Sequence, residues 1–411
     1  MIKKLILTSF VLTGFCSGYT LHEWGTFTSV SSSDGQLLPG LEREEEALPG
    51  FVEALDGMQN VGPLSLYAKG FSPLRPLRNV TIKMETPVIY FYADEPFNAT
   101  VKIGFNGGSI SQWFPARSDG ESAPPIAKKK SPLSTPPTKA ELENLFVEQG
   151  GIDFKTPRQG AITWDVEVLA PDASRGLSFK PGETLNWLRP RNPKANMLKV
   201  GEQFEDYLFY RGVGNFELPV TFTVDARETL HLTNRSTEAI PFLFVQEVLP
   251  SHQVRYLSFK NGLKAGSTEV IPESDFVTTE KKWRRPVYNM MFEGLQATGL
   301  TPEECHGMIQ TWWHSYFEQP GLRVFWIVPE EKTEAILPLA ISPQPEKTVR
   351  VLVGRSEVLR PRFEQQLVQH YHDREDEKKA YFWAQAITHR YGLAYQTRVD
   401  QLLNEKVAST D

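Results

Sequence analysis

The chain has 411 residues, 40% of them hydrophobic and 11% aromatic, with 44 basic and 50 acidic side chains and a formal charge of −6. That length exceeds what one hydrophobic core usually holds and predicts two or three domains. The apolar content excludes general disorder, and the mild acidity excludes the basic footprint of a nucleic-acid-binding protein.

The first residues read as an address. Lys3 and Lys4, an apolar run over residues 5–15 and the small-residue exit Cys16-Ser17-Gly18 stand in the order of a secretory leader. The run is about half the roughly 20 residues that span a membrane, which favours a cleaved signal peptide over residues 1–18 rather than a retained anchor. Lipidation through Cys16 is opposed by Phe15, where such signals carry a small residue. The predicted location is secreted or periplasmic, with no integral membrane segment after cleavage. Cys305 is then the one cysteine of the mature chain, so no intramolecular disulfide contributes.

Directly after the leader comes His22-Glu23-Trp24-Gly25-Thr26-Phe27-Thr28. Strand-like runs follow at 24–30, 80–93, 99–105, 162–169, 206–211, 219–224, 230–233, 242–248 and 254–259, separated by Gly, Pro, Asn and Asp. Residues 117–137, rich in Pro, Ser and Lys and including Lys128-Lys129-Lys130, predict an exposed loop, and 138–148 a short helix. Thr301-Pro302-Glu303-Glu304 is a helix start with a capping box. Cys305, Met308, Ile309, Trp312, Trp313 and Tyr316 continue it as an apolar stripe until Gln319-Pro320-Gly321. Strands at 323–329 and 348–353 and further helices from 362 complete the chain. The predicted fold is mainly β with an α+β C-terminal region: an antiparallel β-sandwich-like core plus helices packed against it. The predicted regions are 19–150 (N-terminal β), 151–295 (central antiparallel β) and 296–411 (C-terminal α/β).

Five strings together carry a likeness. They are the heptapeptide 22–28, Lys83-Met84-Glu85-Thr86-Pro87 with its continuation to Tyr92, and the segments 209–216, 323–329 and 349–355. They resemble a group of secreted bacterial proteins of unknown function that begin with a His-Glu-Trp-Gly-Thr string after a signal peptide. The resemblance implies a bacterial origin and export, and no activity.

In a regular strand, successive side chains take opposite faces. His22, Trp24, Thr26 and Thr28 therefore share one side, while Glu23, Gly25 and Phe27 take the other. His22 and Glu23 make no acid–base pair without a bulge, and Gly25 lets another backbone approach. Glu85 stands at the mouth of an apolar strand and needs a partner or a raised pKa. Arg211 is the expected cation, either as a structural ion pair or in a pocket where Arg211 orients a ligand and Glu85 acts as acid or base. Gly212-Val213-Gly214 opens no helix and lacks the lysine of a phosphate loop.

Metal signatures are weak. His370-Tyr371-His372 falls on a predicted helix, where the imidazoles diverge, and His306 and His314 lack the i,i+4 relation of zinc proteases. A site assembled from His22 and Glu85 across distant segments is the residual metal reading. Trp24, Trp313 and Trp326 are candidate ligand-binding rings, and Trp312 joins the last two in a potential sugar platform; core packing is the competing role. No motif specifies a cofactor. Without a nucleophile–base–orienter set, the sequence predicts an exported, envelope-associated binding or structural protein with a glycan or peptide ligand. The alternative is a secreted hydrolase or lyase acting on polysaccharide or peptide, with His22, Glu85 and Arg211 around one cleft.

Overall fold

A computed structural model describes residues 18–45, 48–57, 69–127, 132–173, 185–259, 261–279 and 282–408. Residues 1–17 of the expected leader and the Lys128-Lys129-Lys130 triplet lie outside the described residues. The string after the leader forms the strand Thr20–Ser31, buried at every residue but Thr20. A strand enclosed on both faces belongs inside a sheet with both surfaces covered. On one edge it pairs in parallel with Lys347–Val358, in unbroken register from Thr20 opposite Lys347 to Ser31 opposite Val358. On the other edge Val88–Tyr92 and Ile82–Met84 run antiparallel to it.

These strands belong to an eleven-stranded sheet that is otherwise antiparallel. From one edge its order is Val277–Thr279, Val254–Phe259, Leu243–Val248, Gly321–Ile327, Lys347–Val358, Thr20–Ser31, Ile82–Met84, Leu208–Gly214, Gly108–Phe114 and Glu53–Ala54. Val88–Tyr92 pairs with both Thr20–Ser31 and Leu208–Gly214. The single strand expected over 80–93 is thus two. Pro87 lies in the break, where its missing N–H costs the ladder nothing. Gly25 admits its approach, since a Cβ there would stand 2.9 Å from the Pro87 Cα.

A second sheet of six strands covers one face, centred on Phe97–Asn106 paired antiparallel with Gln159–Val168. Both strands alternate buried and exposed residues, so only one face of this sheet meets the core. Leu21, Phe27, Ile82, Ile89 and Phe91 from the large sheet pack there against Val101, Ile103, Phe105, Ile162 and Trp164. The other face of the large sheet carries helices in two groups. Arg284–Gln296, Pro302–Thr311 and the π-helical turn Trp313–Glu318 cover Trp24, Tyr90, Phe244 and Phe325. Pro361–His372, Ala380–Thr388 and Gly392–Ala408 cover Val30 and Val213 with Leu367, Trp383, Tyr391 and Val399.

The molecule is therefore a β-rich α+β fold, an antiparallel sandwich with helices packed on it. The sequence division at 150 and 295 does not follow sheet boundaries. Strands from all three regions enter the large sheet, because the parallel pair sets a C-terminal strand beside the first one. No helix among the described residues is long and apolar enough to cross a membrane.

Packing is also tight along Lys347–Val358. Trp326 stands opposite Gly354 across the sheet, fully buried, and a methyl group on Gly354 would enter its indole ring. Gly354→Ala should destabilise the protein by about 1–3 kcal/mol through overpacking, measured as a fall in the denaturant midpoint with little change in the slope.

Candidate functional site

Register across four strands creates a charged row. Phe325 faces Arg355, Arg355 faces Thr28, and Thr28 faces Lys83. Directly opposed residues share a face, so Arg355 and Lys83 flank Thr28 on the helix-covered side. Two residues along, Glu357 stands beside Val30 and Arg323 on that same side. The row lies between the two helical groups, each of which lays a tyrosine ring against it, Tyr316 on Arg355 and Tyr391 on Lys83. Buried cations this close persist only with carboxylates among them.

The loop after the first strand and the adjoining segments supply most of these. Glu45 accepts from Lys83 and, at 3.1 Å, from Arg390 Nη1. Glu44 accepts from Arg211 Nη2 at 2.6 Å, while Arg211 Nε donates to Gln112 at 2.7 Å. Glu85 accepts from Lys69 and has the Lys83 ammonium 3.7 Å away. Glu357 accepts from Arg323 and Arg355, each at 2.6 Å. Arg355 lies over the Tyr316 ring at 4.3 Å and Arg390 over Tyr391 at 4.8 Å. Among the described residues, Lys69, Lys83, Arg211, Arg323, Arg355 and Arg390 thus face Glu44, Glu45, Glu85 and Glu357, six cations against four carboxylates.

Protonation follows from burial and neighbours. Burial opposes ionisation of Glu45, but Lys83, Arg390 and Arg355 outweigh it and hold the carboxyl well below its usual range. The same competition, won by Arg323, Arg355 and Arg390, holds Glu357 at about 2. Burial pushes Glu42, on the same loop, upward toward its neutral form, and lowers Lys69 to about 8 against the pull of Glu85. Burial and then Arg390 push His389 down to about 4, so its imidazole is neutral at pH 7.

Among the described residues the cluster meets a pocket. A pocket of about 370 Å³ is lined by Arg43, Glu44, Glu45, His314, Ser315, Gln319, Thr388, His389 and Arg390. Its walls are the loop after the first strand, the π-helical turn and the junction between the last two helices. Arg43 Nη1 ties the loop to the Ile387 carbonyl at 2.5 Å, and Arg390 Nη1 ties the junction to the Ser315 carbonyl at 2.9 Å. π-Turns are rare and concentrate at functional sites. Nε and Nη2 of Arg390, and Nε and Nη1 of Arg355 behind it, are buried without a hydrogen-bond partner. Arg390 Nη2 stops 3.6 Å from Glu357, and Arg355 Nη1 stops 3.9 Å from Glu45. Both separations exceed hydrogen-bond length. Buried guanidinium donors with spare capacity and excess positive charge suit an oxyanion, a carboxylate or phosphate.

Of the residues singled out in the sequence, Glu85 and Arg211 enter this cluster, though not as a pair: lysines take Glu85, and Glu44 with Gln112 takes Arg211. His22 lies elsewhere. Its Nδ1 meets Glu304 at 2.9 Å, and Tyr92 donates to the same carboxylate at 2.9 Å. Glu304 also caps its own helix through the Thr301 N–H at 2.7 Å. His22, Glu85 and Arg211 are all enclosed and do not line one cleft. Trp24 and Trp326 are fully buried core residues, whereas Trp313 is half-buried at the surface. Among the described residues no group of three His, Cys, Asp or Glu side chains is placed to hold a metal ion. Cys305 is buried, which raises its thiol to about 12, far from a thiolate nucleophile.

Sequence reasoning missed Glu44, Glu45, Lys69 and Arg390, which sit in stretches without periodicity. Lys83 and Arg355 did carry a signal, Lys83 between Ile82 and Met84 and Arg355 after the run Val351-Leu352-Val353-Gly354. No protein-family model and no curated protein matches the chain, so the chemistry of the site stands on geometry.

Two acid windows follow. His389 has a folded pKa of about 4 against an ordinary 6.5, so its contribution to stability is complete above pH 6.5 and lost as pH falls toward 4. Glu357, held at about 2 against an ordinary 4.5, contributes fully above pH 4.5 and loses that contribution as pH falls toward 2. Melting temperatures taken in pH steps should decline through both windows. His389→Gln should flatten the upper one alone.

Proposed function

We propose that this chain is an exported binding protein of the bacterial cell envelope whose pocket receives the anionic group of a small acidic ligand. The observation that carries the reading is Arg390, 13% exposed, which lines the pocket while its enclosed Nε and Nη2 have no hydrogen-bond partner. The charge excess behind it supports the same polarity. Binding is favoured over turnover because the carboxylates of the cluster are all engaged in ion pairs and, among the described residues, none of its side chains is a nucleophile set beside a base. Export is supported by the leader-like residues 1–18. Tyr19, the first residue after the expected leader, is buried, and its hydroxyl donates to the Pro343 carbonyl at 2.6 Å, as suits a mature chain that starts there.

Calorimetric titration with galacturonate and with inorganic phosphate tests the site. The protein should bind at least one of them, and Arg390→Gln should weaken that binding roughly tenfold to a hundredfold while the melting temperature shows a folded protein. Failure of both anions to bind at millimolar concentration would remove the proposal. For export, fractionation and intact mass of the protein from its native host should give a species outside the cytoplasm that starts at or near Tyr19. A cytoplasmic full-length chain would contradict that address.

A further inference from the structure

The pocket shares a wall with an aromatic face that the anion site leaves unused. In the π-helical turn Trp313–Glu318, consecutive side chains divide between the two: His314 lines the pocket, while Trp313 stacks on Trp283 with centroids 5.8 Å apart and planes within 5°. Tyr288 flanks Trp313 at 6.5 Å, and its hydroxyl meets His306 Nδ1 at 2.9 Å. Glu318 locks the boundary. Its carboxylate accepts from the Trp313 indole at 3.0 Å, from His314 at 3.1 Å and from Arg284 at 2.8 Å. Gln319, also on the pocket wall, contacts the other nitrogen of His314 at 3.0 Å.

Trp283, Tyr288 and Trp313 are half-buried, in contrast to Trp312 one residue earlier, which is enclosed in the core. These rings are held by their neighbours, Trp313 by Phe317 at 5.2 Å and Tyr288 by Phe292 at 5.9 Å, with Arg284 over Trp283 at 5.7 Å. Held rings with part of their surface exposed lose little entropy when a sugar packs on them. On the pocket side of the same turn, Arg390 carries the guanidinium suited to a carboxylate.

We propose that the Trp283–Trp313–Tyr288 face is a sugar-stacking subsite continuous with the anion pocket, so that the ligand is an acidic oligosaccharide of the uronate class. This rests on the anion-site reading and names its ligand. One uronate carboxylate occupies the Arg390 end while a neighbouring sugar ring lies on the tryptophans. An acidic peptide shares the charge and lacks the stacking face, which makes it the informative competitor.

The test compares galacturonate, its trimer and triglutamate on three proteins: the wild type, Trp283→Leu, which keeps apolar cover, and Arg390→Gln. Wild type should bind the trimer at least tenfold more tightly than the monosaccharide, with a change in tryptophan fluorescence. Trp283→Leu should lose that gain and keep monosaccharide affinity, while Arg390→Gln should lose both sugars. A trimer advantage that survives Trp283→Leu would overturn the subsite, as would a trimer no tighter than the monosaccharide. Triglutamate binding as tightly as the trimer, and equally sensitive to Trp283→Leu, would overturn the sugar class. If galacturonate in neither form binds wild type, the uronate class falls. Should phosphate still bind in that case, the anion pocket stands without it.

Discussion

The parallel pairing of Thr20–Ser31 with Lys347–Val358 is the constraint on which the rest of the molecule depends. It closes the middle of the large sheet from the two ends of the chain, and its register sets Arg355 against Thr28 with Lys83 beyond. A shift by one residue would turn Arg355 toward the sandwich core and Phe27 toward the helices, because side chains alternate with period two. The buried charges therefore follow from the same alignment that buries Leu21 and Phe27. Glu45 and Glu357 then make that alignment tolerable, since an unpaired guanidinium at those positions would be strongly unfavourable.

The cluster is also a rigid one. Arg355 is fixed by Glu357 and the Tyr316 ring, and Arg390 by Glu45, the Ser315 carbonyl and the Tyr391 ring. Donors already immobilised by their other bonds need little ordering when a ligand arrives. The two helical groups, the π-turn among them, enclose these side chains, and the pocket meets the cluster at Glu44, Glu45 and Arg390. Structure and binding thus draw on the same side chains. Such a site is adjusted through the partners that hold Arg390 in place as much as through Arg390 itself.

Much of the fold was legible because local and tertiary preferences agree. The alternation around Trp24, the capping box at Thr301 and Glu304, and the stop at Gln319-Pro320-Gly321 all appear in the structure at the expected residues. The stripe ending in Tyr316 was readable as helical but not as a π-turn, which differs by one residue in hydrogen-bond spacing. The helix Arg284–Gln296 left a fainter mark. Val287, Met291 and Leu295 recur every four residues and are buried, amid polar neighbours and a proline at its start. The parallel pair was not legible, since alternation reveals a strand and says nothing of a partner more than 300 residues away. The site was legible only in part: Glu85 demanded a cation, but the choice of Lys69 over Arg211 is made by loops whose positions no periodicity encodes.

The same parallel pair decides when this protein can become itself. The Ser29–Ser356 contact spans 327 positions along the chain, so the earliest strand to be synthesised waits for nearly the whole polypeptide before its neighbour exists. Until then an apolar β-segment has an open hydrogen-bonding edge, a condition that slows maturation and invites self-association. If the chain is exported as proposed, that delay would be an advantage: the sheet could not close prematurely and jam the passage, and completion would be deferred until the C-terminal quarter had emerged on the far side.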